Sequence, residues 1–422
     1  IFERTRMRSV EEQQALVTAS AVAPNPVRVA IQDSLGLMCA EEVETTMPLP
    51  GFDQAAIDGF AVRAVDVKNA PTTSDPSQDG VVLPVVGDVT AGSRMHTRLQ
   101  PDQTVRVFTG AAMPALADAV VPLAWTDNGE TRVTINRRVN PGDFVRKVGD
   151  DVTPGDIAVR AGTIVGPAQV GLLAAVGRDK VLVHPRPRVS IISVGNELVD
   201  LDRIPGQGQV YDVASYALTA AALEAGAEVH RVGIVSTEPR AFRELVETQL
   251  LRSEIVVIAG AVGGIASEHV RNVLADLGEV EVERVAMHPG SVQGFGLLGA
   301  DQIPTFLVPS NAVSALLVFE LMVRPMIRIA LGKRHPMRRI IRARTIIPVT
   351  SMKGRAGYLC AQLMRDEATG EYLVQALAGA NPSTSHLLAS LSEANALIVV
   401  PPDVTEIRTG EEVDVMFLAQ RR

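Results

Sequence analysis

The sequence is poor in cysteine and aromatic residues, and it has no long apolar run. It contains 2 Cys, 1 Trp and 4 Tyr among 422 residues. Cys39 and Cys360 stand far apart and outside any CxxC pair, as expected of a chain that folds in a reducing compartment without disulfides. The longest apolar stretches, such as 313–323, are interrupted by Glu320 and are shorter than the roughly 18 residues needed to cross a bilayer. We therefore expect a cytoplasmic protein that does not insert directly into a membrane.

Clustered positive charge is also missing. Lys and Arg total 40 against 48 Asp and Glu, which gives a net charge of -8. A nucleic-acid partner is not expected, because neutralising phosphates requires grouped cations. The N-terminus carries a charge every few residues and no apolar segment, unlike a secretory signal, so Met7 is a candidate start and residues 1–6 are set aside.

The pattern of the sequence changes along its length, which predicts three or four domains. Ser9 and the two following glutamates predict a capped helix over 9–21. Short apolar runs separated by Gly and Pro predict an all-β module that reaches to about residue 139. Strand and helix patterns then alternate from 189 to about 330, which predicts a parallel sheet covered on both faces. Five strand-like runs after the linker 331–339 predict a small β-barrel or sandwich.

Ligands of an open parallel sheet bind outside the carboxyl ends of its strands. The loops at those ends contain Glu197, Glu238, Glu268, Asn311 and Ser314, the last two at a helix start where backbone N–H groups can receive an anion. Each of these residues alone is more typical of a solvated loop or a helix cap. Together they predict a polar cleft, in a sequence without a GxGxxG fingerprint or a nucleophile-base pair.

Several motifs in order along nearly the whole chain carry a more specific resemblance. They are GFDQAAIDGFAV (51–62), RVFTGAAMPALADAVV (106–121), FVRKVGDDVTPGD (144–156), SVGNEL (193–198), GQVYD (208–212), VAMHPG (285–290) and VPSNAVSALLVFE (308–320). This series resembles the MoeA family of molybdopterin molybdotransferases, whose animal counterpart is the E domain of gephyrin.

The resemblance implies a multidomain fold of α/β and β parts. It combines an α/β parallel-sheet domain like that of MogA, a β module, a split hinge domain and a C-terminal β-barrel, in an elongated homodimer. The boundaries that we expect are an N-terminal helix packing on the α/β domain at 1–22, the hinge domain at 23–46 and 148–177, the β module at 47–147, the α/β domain at 178–331 and the barrel at 332–422.

The resemblance also implies a reaction and its residues. In the family, adenylylated molybdopterin and molybdate react with a divalent metal, Mg²⁺, and AMP is released. Carboxylates would hold the metal, while cations and N–H donors would bind the phosphates. The implied catalytic residues are Asp53, Asp58, Asp151, Glu197 and Glu268, with Asp151 and Glu197 as metal ligands. The implied cofactor-binding residues are Thr109, Gly110, Arg146, Gly260, Asn311 and Ser314.

The loops of the site depart from the family pattern. The loop usually written SGGxSxGExD is AGAVGGIASE here, with Ile265 at a glycine position where a positive φ is expected. The KPGKP motif is HPGSV, so His288 and Ser291 replace two lysines. Each lost cation would remove a charge-assisted contact of about 1.5–3 kcal/mol. These changes suggest a retained scaffold whose site no longer serves the original substrate.

We therefore expect a dimeric, non-catalytic adaptor of the gephyrin type, which binds a short apolar tail of a receptor or of a cytoskeletal, tubulin-like protein. Tyr358, Pro401 and Pro402 resemble the gephyrin positions that line a groove for receptor peptides together with the first helix, although Tyr358 could equally be barrel core. Such a partner would recruit the protein to a membrane or to the cytoskeleton. The alternative is an active molybdopterin molybdotransferase that inserts molybdate in molybdenum cofactor biosynthesis. His269 and His288 lack a third ligand at a recognisable spacing, so a metal site there is not expected.

Overall fold

The computed structural model describes residues 6–73, 78–94 and 97–418, with the backbone alone at 265 and 266. The chain forms two compact units. One unit consists of residues 28–183, and the other joins residues 1–27 to residues 184–422. We call the second of these the α/β-barrel unit.

The first helix, α1 (Val10–Thr18), belongs to the α/β-barrel unit. Ser9 Oγ accepts the N–H of Glu12 at 3.0 Å, and the Glu12 carboxylate accepts the N–H of Ser9 at 2.8 Å. This capping box satisfies two donors at the helix start and agrees with the predicted Ser9 cap. Val10 and Val17 are buried in the main core of the unit, whereas Leu16 is exposed.

The unit of residues 28–183 is built mostly of short strands. In chain order these are β1 (Val27–Ala30), β2 (Met38–Cys39), β3 (Val43–Glu44), β4 (Gln54–Ala55), β5 (Gly59–Val62), β6 (Val81–Val89), β7 (Thr104–Val107), β8 (Ala119–Pro122), β9 (Arg132–Ile135), β10 (Val145–Arg146) and β11 (Ile157–Val159), followed by helix α2 (Pro167–Ala175) and β12 (Lys180–His184).

This unit contains two main sheets. A five-stranded sheet in the order β8, β5, β7, β6, β9 has one apolar cluster around Phe60 on one face and another around Ala61 on the other, as alternating side chains require. This sheet is the all-β module that the sequence predicts. A second sheet, in the order β1, β12, β2, shares a core with Leu173 of α2. The structure thus pairs β12 with strands of the split segment, whereas the sequence analysis assigned residues 180–184 to the α/β domain.

The α/β part of the second unit alternates strands and helices. Its strands are β13 (Arg188–Ser193), β14 (Leu198–Val199), β15 (Val210–Tyr211), β16 (Glu228–Ile234), β17 (Ile255–Ala259), β18 (Gly278–Arg284), β19 (Met287–His288), β20 (Val292–Leu298) and β21 (Ile303–Val308). Its helices are α3 (Val213–Ala225), α4 (Pro239–Arg252), α5 (Ile265–Ala275), α6 (Ala312–Val318), a π-helical turn (Phe319–Val323) and α7 (Arg324–Ala330).

Six of these strands form one sheet in the order β16, β13, β17, β21, β20, β18. The first four run parallel, as predicted. β20 pairs antiparallel with both β21 and β18, and neither β20 nor β18 was anticipated. Ile191 and Val257 pack into the cluster that contains Leu218 of α3. Ile192 and the alternating residues of these strands on the opposite face pack against α4 and α5. Both faces of the sheet are therefore covered by helices, which places its functional edge at the strand ends.

The last part of the chain forms the predicted barrel. Its elements are β22 (Ile340–Thr345), β23 (Val349–Thr350), β24 (Ala356–Arg365), β25 (Tyr372–Ala376), α8 (Leu388–Glu393), β26 (Ala396–Val400), β27 (Glu406–Ile407) and β28 (Glu412–Phe417). The order β24, β25, β22, β28, β26 closes because β26 also pairs with β24. The side chains of Leu359, Val374 and Val415 fill the interior of this ring. Within the described ranges, no helix has the length and hydropathy needed to span a membrane.

Candidate active site

A cleft with a volume of about 400 Å³ opens at the carboxyl ends of β13, β17 and β21. We call this space the cleft. The side chain of Glu197, Gly260 and the side chain of Asn311 all line it, as the rule for parallel sheets predicts. Glu238, Glu268 and Ser314 are not among its lining residues, so the cleft brings together two of the five residues predicted at this edge of the sheet, Glu197 and Asn311.

Gly260 allows two strand ends to meet at the base of the cleft. Its φ is +83°, and a Cβ atom at this position would lie 2.1 Å from the carbonyl oxygen of Val194. No larger residue fits without separating the two chain segments. The Gly260 N–H donates to the carbonyl of Val308 at 2.9 Å, which ties β17 to the end of β21.

The loop after β17 keeps glycine where the backbone needs it. Gly263 and Gly264 have φ values of +79° and +78°, while Ile265 is the first residue of α5 and has helical backbone. The expectation that Ile265 obstructs a position of positive φ is therefore wrong. Glu268 lies exposed in the first turn of α5, where its carboxylate complements the positive end of the helix.

Asn311 caps the helix that closes the cleft on another side. Its Oδ1 accepts the backbone N–H of Ser314 at 3.0 Å, so α6 begins immediately after it. The predicted use of the Ser314 amide as an anion donor is not supported by this geometry, because the cap already occupies that donor. Asn311 itself is exposed and faces the cleft.

Glu197 is an exposed carboxylate on the wall of the cleft. Its two carboxylate oxygens lie over Gly195, 2.8 and 2.9 Å from the point that a Cβ atom of that glycine would occupy. The carbonyl oxygen of Glu197 accepts the N–H of Val210 at 2.8 Å, which joins the strand pair β14 and β15. Glu197 is therefore held by its backbone while its carboxylate faces the cleft.

Asp212 is a buried carboxylate beneath the same wall, and its side chain is 1% exposed. Its Oδ1 accepts the Ser193 hydroxyl at 2.8 Å and the Ser215 N–H at 3.1 Å, and its Oδ2 accepts the Ser215 hydroxyl. The first contact reaches β13 and the others cap α3. Asp212 thus joins a strand end, a loop and a helix start at one point.

The other unit has an open pocket of about 490 Å³, which we call the Arg146 pocket. Arg146 and Asp151, both predicted from the family motifs, line it together with Gln54, Asp150 and the segment 49–51. Arg146 lies at the end of the two-residue strand β10, which pairs with β4. Both Arg146 and Asp151 are exposed, so their charges are accessible in this unit.

Asp53 holds the segment that follows Arg146. Its Oδ1 accepts the Val148 N–H and its Oδ2 accepts the Lys147 Nζ, each at 2.9 Å. The Val148 hydrogen bond, followed by that of Lys147, keeps the pKa of Asp53 below its usual range. Sequence analysis did not single out Lys147, and its position directly after Arg146 in the motif is the signal that could have suggested it.

Asp58 and Thr109 form a second pair in this unit. Asp58 Oδ1 accepts the Thr109 N–H at 2.8 Å and the Thr109 hydroxyl at 2.9 Å, and these bonds lower the pKa of Asp58. Gly110 follows with a φ of +82°, and its N–H donates to the carbonyl of Ala55. In the structure these predicted residues are neighbours, and Asp58 fixes the loop that contains Thr109.

The predicted metal ligands do not form a magnesium site in the described parts of either unit. Asp151 lies in the unit of residues 28–183 and Glu197 in the α/β-barrel unit. Among residues 6–73, 78–94 and 97–418, no three His, Cys, Asp or Glu side chains are grouped so as to hold a metal ion. Asp53 and Asp58 are already engaged by protein donors. The donor set therefore does not fit Mg²⁺ by itself, and we assign no step to a metal.

His288 lies where β19 pairs with β24, opposite Gly357. Burial, reinforced by the nearby charge of Arg355, lowers the pKa of His288. The imidazole is therefore neutral at pH 7, and this position carries no fixed positive charge where the family motif has a lysine.

The predicted peptide groove around Tyr358 is not open. Tyr358 is 6% exposed and belongs to the cluster that contains Val10 and Val17 of α1. Its neighbour Leu359 faces the barrel interior, so Tyr358 lies on the outer face of the barrel, under the first helix, rather than in the barrel core. Pro401 and Pro402 are exposed after β26. The prediction that Tyr358 anchors a bound peptide is therefore wrong.

Comparisons with known proteins bear on the whole chain. Residues 8–177 match the model of the MoeA N-terminal region (domain I and II), residues 190–329 that of a probable molybdopterin binding domain, and residues 342–418 that of the MoeA C-terminal region (domain IV). Over 424 residues, the chain is 64% identical to molybdopterin molybdenumtransferase 1 of Mycobacterium tuberculosis (strain ATCC 25618 / H37Rv), with 98% of this chain and 100% of the relative covered. The chain belongs to the MoeA family.

Other MoeA proteins support the same assignment. Molybdopterin molybdenumtransferase 2 of Mycobacterium tuberculosis (strain ATCC 25618 / H37Rv) is 35% identical, and the match covers 98% of this chain and 100% of that relative. The crystal structure of a molybdopterin biosynthesis MoeA protein from Pyrococcus horikosii superposes with a TM-score of 0.79 at 30% identity, covering 99% of this chain and 100% of that one. These MoeA relatives confirm the predicted family and the predicted multidomain fold.

The MoeA assignment overturns the predicted function. We expected a non-catalytic adaptor, but a relative that is 64% identical over its entire length carries the name of an enzyme. The structure supplies part of the reason, since Gly263 and Gly264 retain the backbone shape that Ile265 was expected to destroy. The adaptor prediction is therefore wrong.

Proposed function

We propose that the chain is a molybdopterin molybdenumtransferase of molybdenum cofactor biosynthesis, with adenylylated molybdopterin and molybdate as its substrates. The observation that carries this proposal is the 64% identity, along nearly the whole chain, to a relative of that name. The cleft at the strand ends is consistent with it, because it offers a concave polar space at the edge where sheets of this type bind ligands.

The cleft is the proposed site for the molybdopterin substrate. Gly260 offers backbone that a ligand can approach closely, and the Asn311 side chain offers an amide for orientation. Glu197 is the proposed carboxylate closest to the reacting groups, because it lines the cleft and its carboxylate is exposed. Asp212 is fully surrounded by donors and acts from beneath the wall, as a positioning residue.

The lining of the cleft includes the carboxylates of Glu197 and Asp212, and no Lys or Arg stands among the described lining residues. In the Arg146 pocket, Arg146 is a proposed cation for an anionic group, since its exposed guanidinium can contact a phosphate or an oxyanion in two places at once. Each such contact would contribute about 1.5–3 kcal/mol.

Asp53 and Asp58 have proposed roles in positioning. Asp53 holds Lys147 and Val148, the two residues after Arg146, so its loss would let the Arg146 segment move. Asp58 fixes Thr109, whose amide is adjacent to that of Gly110. Asp151 remains a proposed catalytic carboxylate of the Arg146 pocket, and Glu268 a proposed one near the start of α5.

Complementation tests the proposed function directly. The chain would be expressed in a bacterial strain that lacks its own MoeA, and restored nitrate reductase activity would be scored. We expect full rescue by the wild-type chain and by Arg160→Ala, an exposed cation outside both pockets. Absence of rescue, despite folded and abundant protein, would overturn the proposal.

We further propose a homodimer, for which the support is the resemblance to the family. Sedimentation velocity at micromolar concentrations would give twice the monomer mass of 44.9 kDa. A single species of monomer mass across the concentration range would refute the dimer and leave the proposed activity unaffected.

A further inference from the structure

One wall of the cleft comes from a single segment of chain, residues 197–214, of which 197, 198 and 210–214 line the space. It contains the short parallel pair of β14 and β15, and between them a ten-residue connection in which Leu201 and Ile204 are exposed. A connection with exposed apolar side chains and only two paired residues on each side has little intrinsic stability. The position of this wall must therefore be fixed by contacts made elsewhere.

Arg231 supplies such contacts from β16, the edge strand of the sheet. Its Nη2 lies 3.0 Å from Asp200 Oδ2 and 3.5 Å from Asp212 Oδ2, and its Nε donates to Ser215 Oγ at 2.8 Å. The guanidinium also stacks on the ring of Tyr216, with its carbon 3.7 Å from the ring centroid. We call Asp200, Asp212, Ser215, Tyr216 and Arg231 the Arg231 cluster.

The contacts of the cluster lie on both sides of this connection. Asp200 stands immediately after β14, where the connection begins, and Asp212 stands immediately after β15, the strand to which the connection leads. Asp200 is held from a second side by the Tyr216 hydroxyl, at 2.7 Å. One guanidinium therefore joins both ends of the connection to the first turn of α3 and to the edge strand.

We propose that Arg231 is a positioning residue for the substrate cleft: it locks the wall of residues 197–214 in the conformation that binds substrate. This inference rests on the proposed function for its effect on catalysis, but its structural part does not. The side chain of Arg231 is 22% exposed, and it stands behind the wall, outside the lining of the cleft, so its action on substrate is indirect. Lysine cannot replace it, because an ammonium group cannot make the forked contacts and stack on a ring at the same time.

Hydrogen exchange of the substrate-free protein tests the structural part. Arg231→Gln should exchange faster than wild type in peptides from 197–214 and equally in peptides from β17, β21 and the barrel. The matched control is Arg240→Gln, which removes an exposed ion pair on α4 of the same unit. Unchanged exchange in 197–214, or faster exchange throughout the unit, would overturn the proposal. If Arg231→Gln fails to fold, Tyr216→Phe serves instead, because it removes only the hydroxyl that holds Asp200 and should raise exchange in the same segment.

Kinetics of molybdate insertion test the effect on substrate. A wall that is mobile must be ordered on binding, so we expect KM for adenylylated molybdopterin to rise about tenfold in Arg231→Gln, with kcat changed by less than about threefold. Arg231→Lys should recover little of this loss. A KM equal to that of wild type would refute the positioning role, and so would a full recovery by lysine.

A double-mutant cycle identifies the partner. If Arg231 and Asp200 act through their contact with each other, KM should be no higher in Arg231→Gln/Asp200→Asn than in Arg231→Gln alone. If the two residues act independently, their effects on KM should multiply. Failure of the wild-type chain to insert molybdate would count against the proposed function only, because the exchange experiment needs no substrate and still decides whether Arg231 locks the wall.

Discussion

The cleft and the Arg146 pocket are built in different ways. The cleft lies on the ends of three buried parallel strands, and its wall is tied to them through the buried carboxylate of Asp212. The Arg146 pocket is formed by turns and by two-residue strands, and its key side chains are exposed. The shape of the cleft is thus coupled to the fold of its unit, whereas charges in the Arg146 pocket can change at little cost to folding.

The largest expected effect is on folding, and it concerns Asp212. Asp212→Ala would leave the Ser193 and Ser215 hydroxyls without their acceptor and would remove the cap of α3. We expect the free energy of unfolding to fall by about 3 kcal/mol, measured by urea denaturation.

The matched variant in the other pocket is Asp151→Ala. Its carboxylate is exposed, so the free energy of unfolding should change by less than about 0.5 kcal/mol. Similar losses for Asp212→Ala and Asp151→Ala would contradict the contrast between the two regions.

A second prediction concerns a loss of activity that leaves the stability of the fold unchanged. Arg146→Ala removes the proposed contact to a phosphate or an oxyanion, so kcat/KM should fall by about 10- to 150-fold, the equivalent of about 1.5–3 kcal/mol. Arg160→Ala, also exposed and in the same unit, should leave kcat/KM unchanged. If Arg146→Ala unfolds the protein at lower urea, Arg146 is a structural residue and the contrast fails.

A third prediction concerns charge in the α/β-barrel unit. Burial lowers the pKa of His288 below its ordinary value of 6.5, so the folded state favours the neutral imidazole. The unfolded state therefore binds more protons as the pH falls below about 6.5, and stability is lost there, while it is fully present above that pH. The urea midpoint of wild type should drop between pH 7.5 and pH 5 by more than that of His288→Gln. Equal drops would show that His288 is exposed to solvent.

The smallest expected effect is local to the unit of residues 28–183. Thr109→Val removes the hydroxyl that donates to Asp58 but keeps the backbone donor, so the pKa of Asp58 should rise while staying below 3.8. Carboxyl NMR titration would measure this change. Thr109→Ser keeps a hydroxyl and should leave the pKa as in wild type, and the pKa of Asp53 should not move in either variant.

The sequence predicted most of the fold and part of the site. The strand-end rule placed Glu197 and Asn311 together because parallel strands bring their carboxyl ends to one edge. The antiparallel strands β18 and β20 were missed, since their partners are set by the order of the sheet and not by any local pattern.

Two errors have physical causes. The alignment of the loop with the family motif assigned Ile265 to a position of positive φ. The positive φ values fall on Gly263 and Gly264 instead, so the backbone at Ile265 is not strained. Arg231 was overlooked because its partners, Asp200, Asp212 and Ser215, come from separate segments that only the folded sheet brings together. A charged side chain in the middle of a strand was the available signal.

The closed barrel has a consequence for how this molecule meets other chains. Each of its five strands has a neighbour on both sides, and the shortest of these pairings joins β22 to β25 at Arg344 and Thr345 only. A strand from another chain therefore finds little unpaired edge there, which limits edge-to-edge association in that region. Association through the barrel then depends on side-chain contacts, so it is specific and single substitutions can change it.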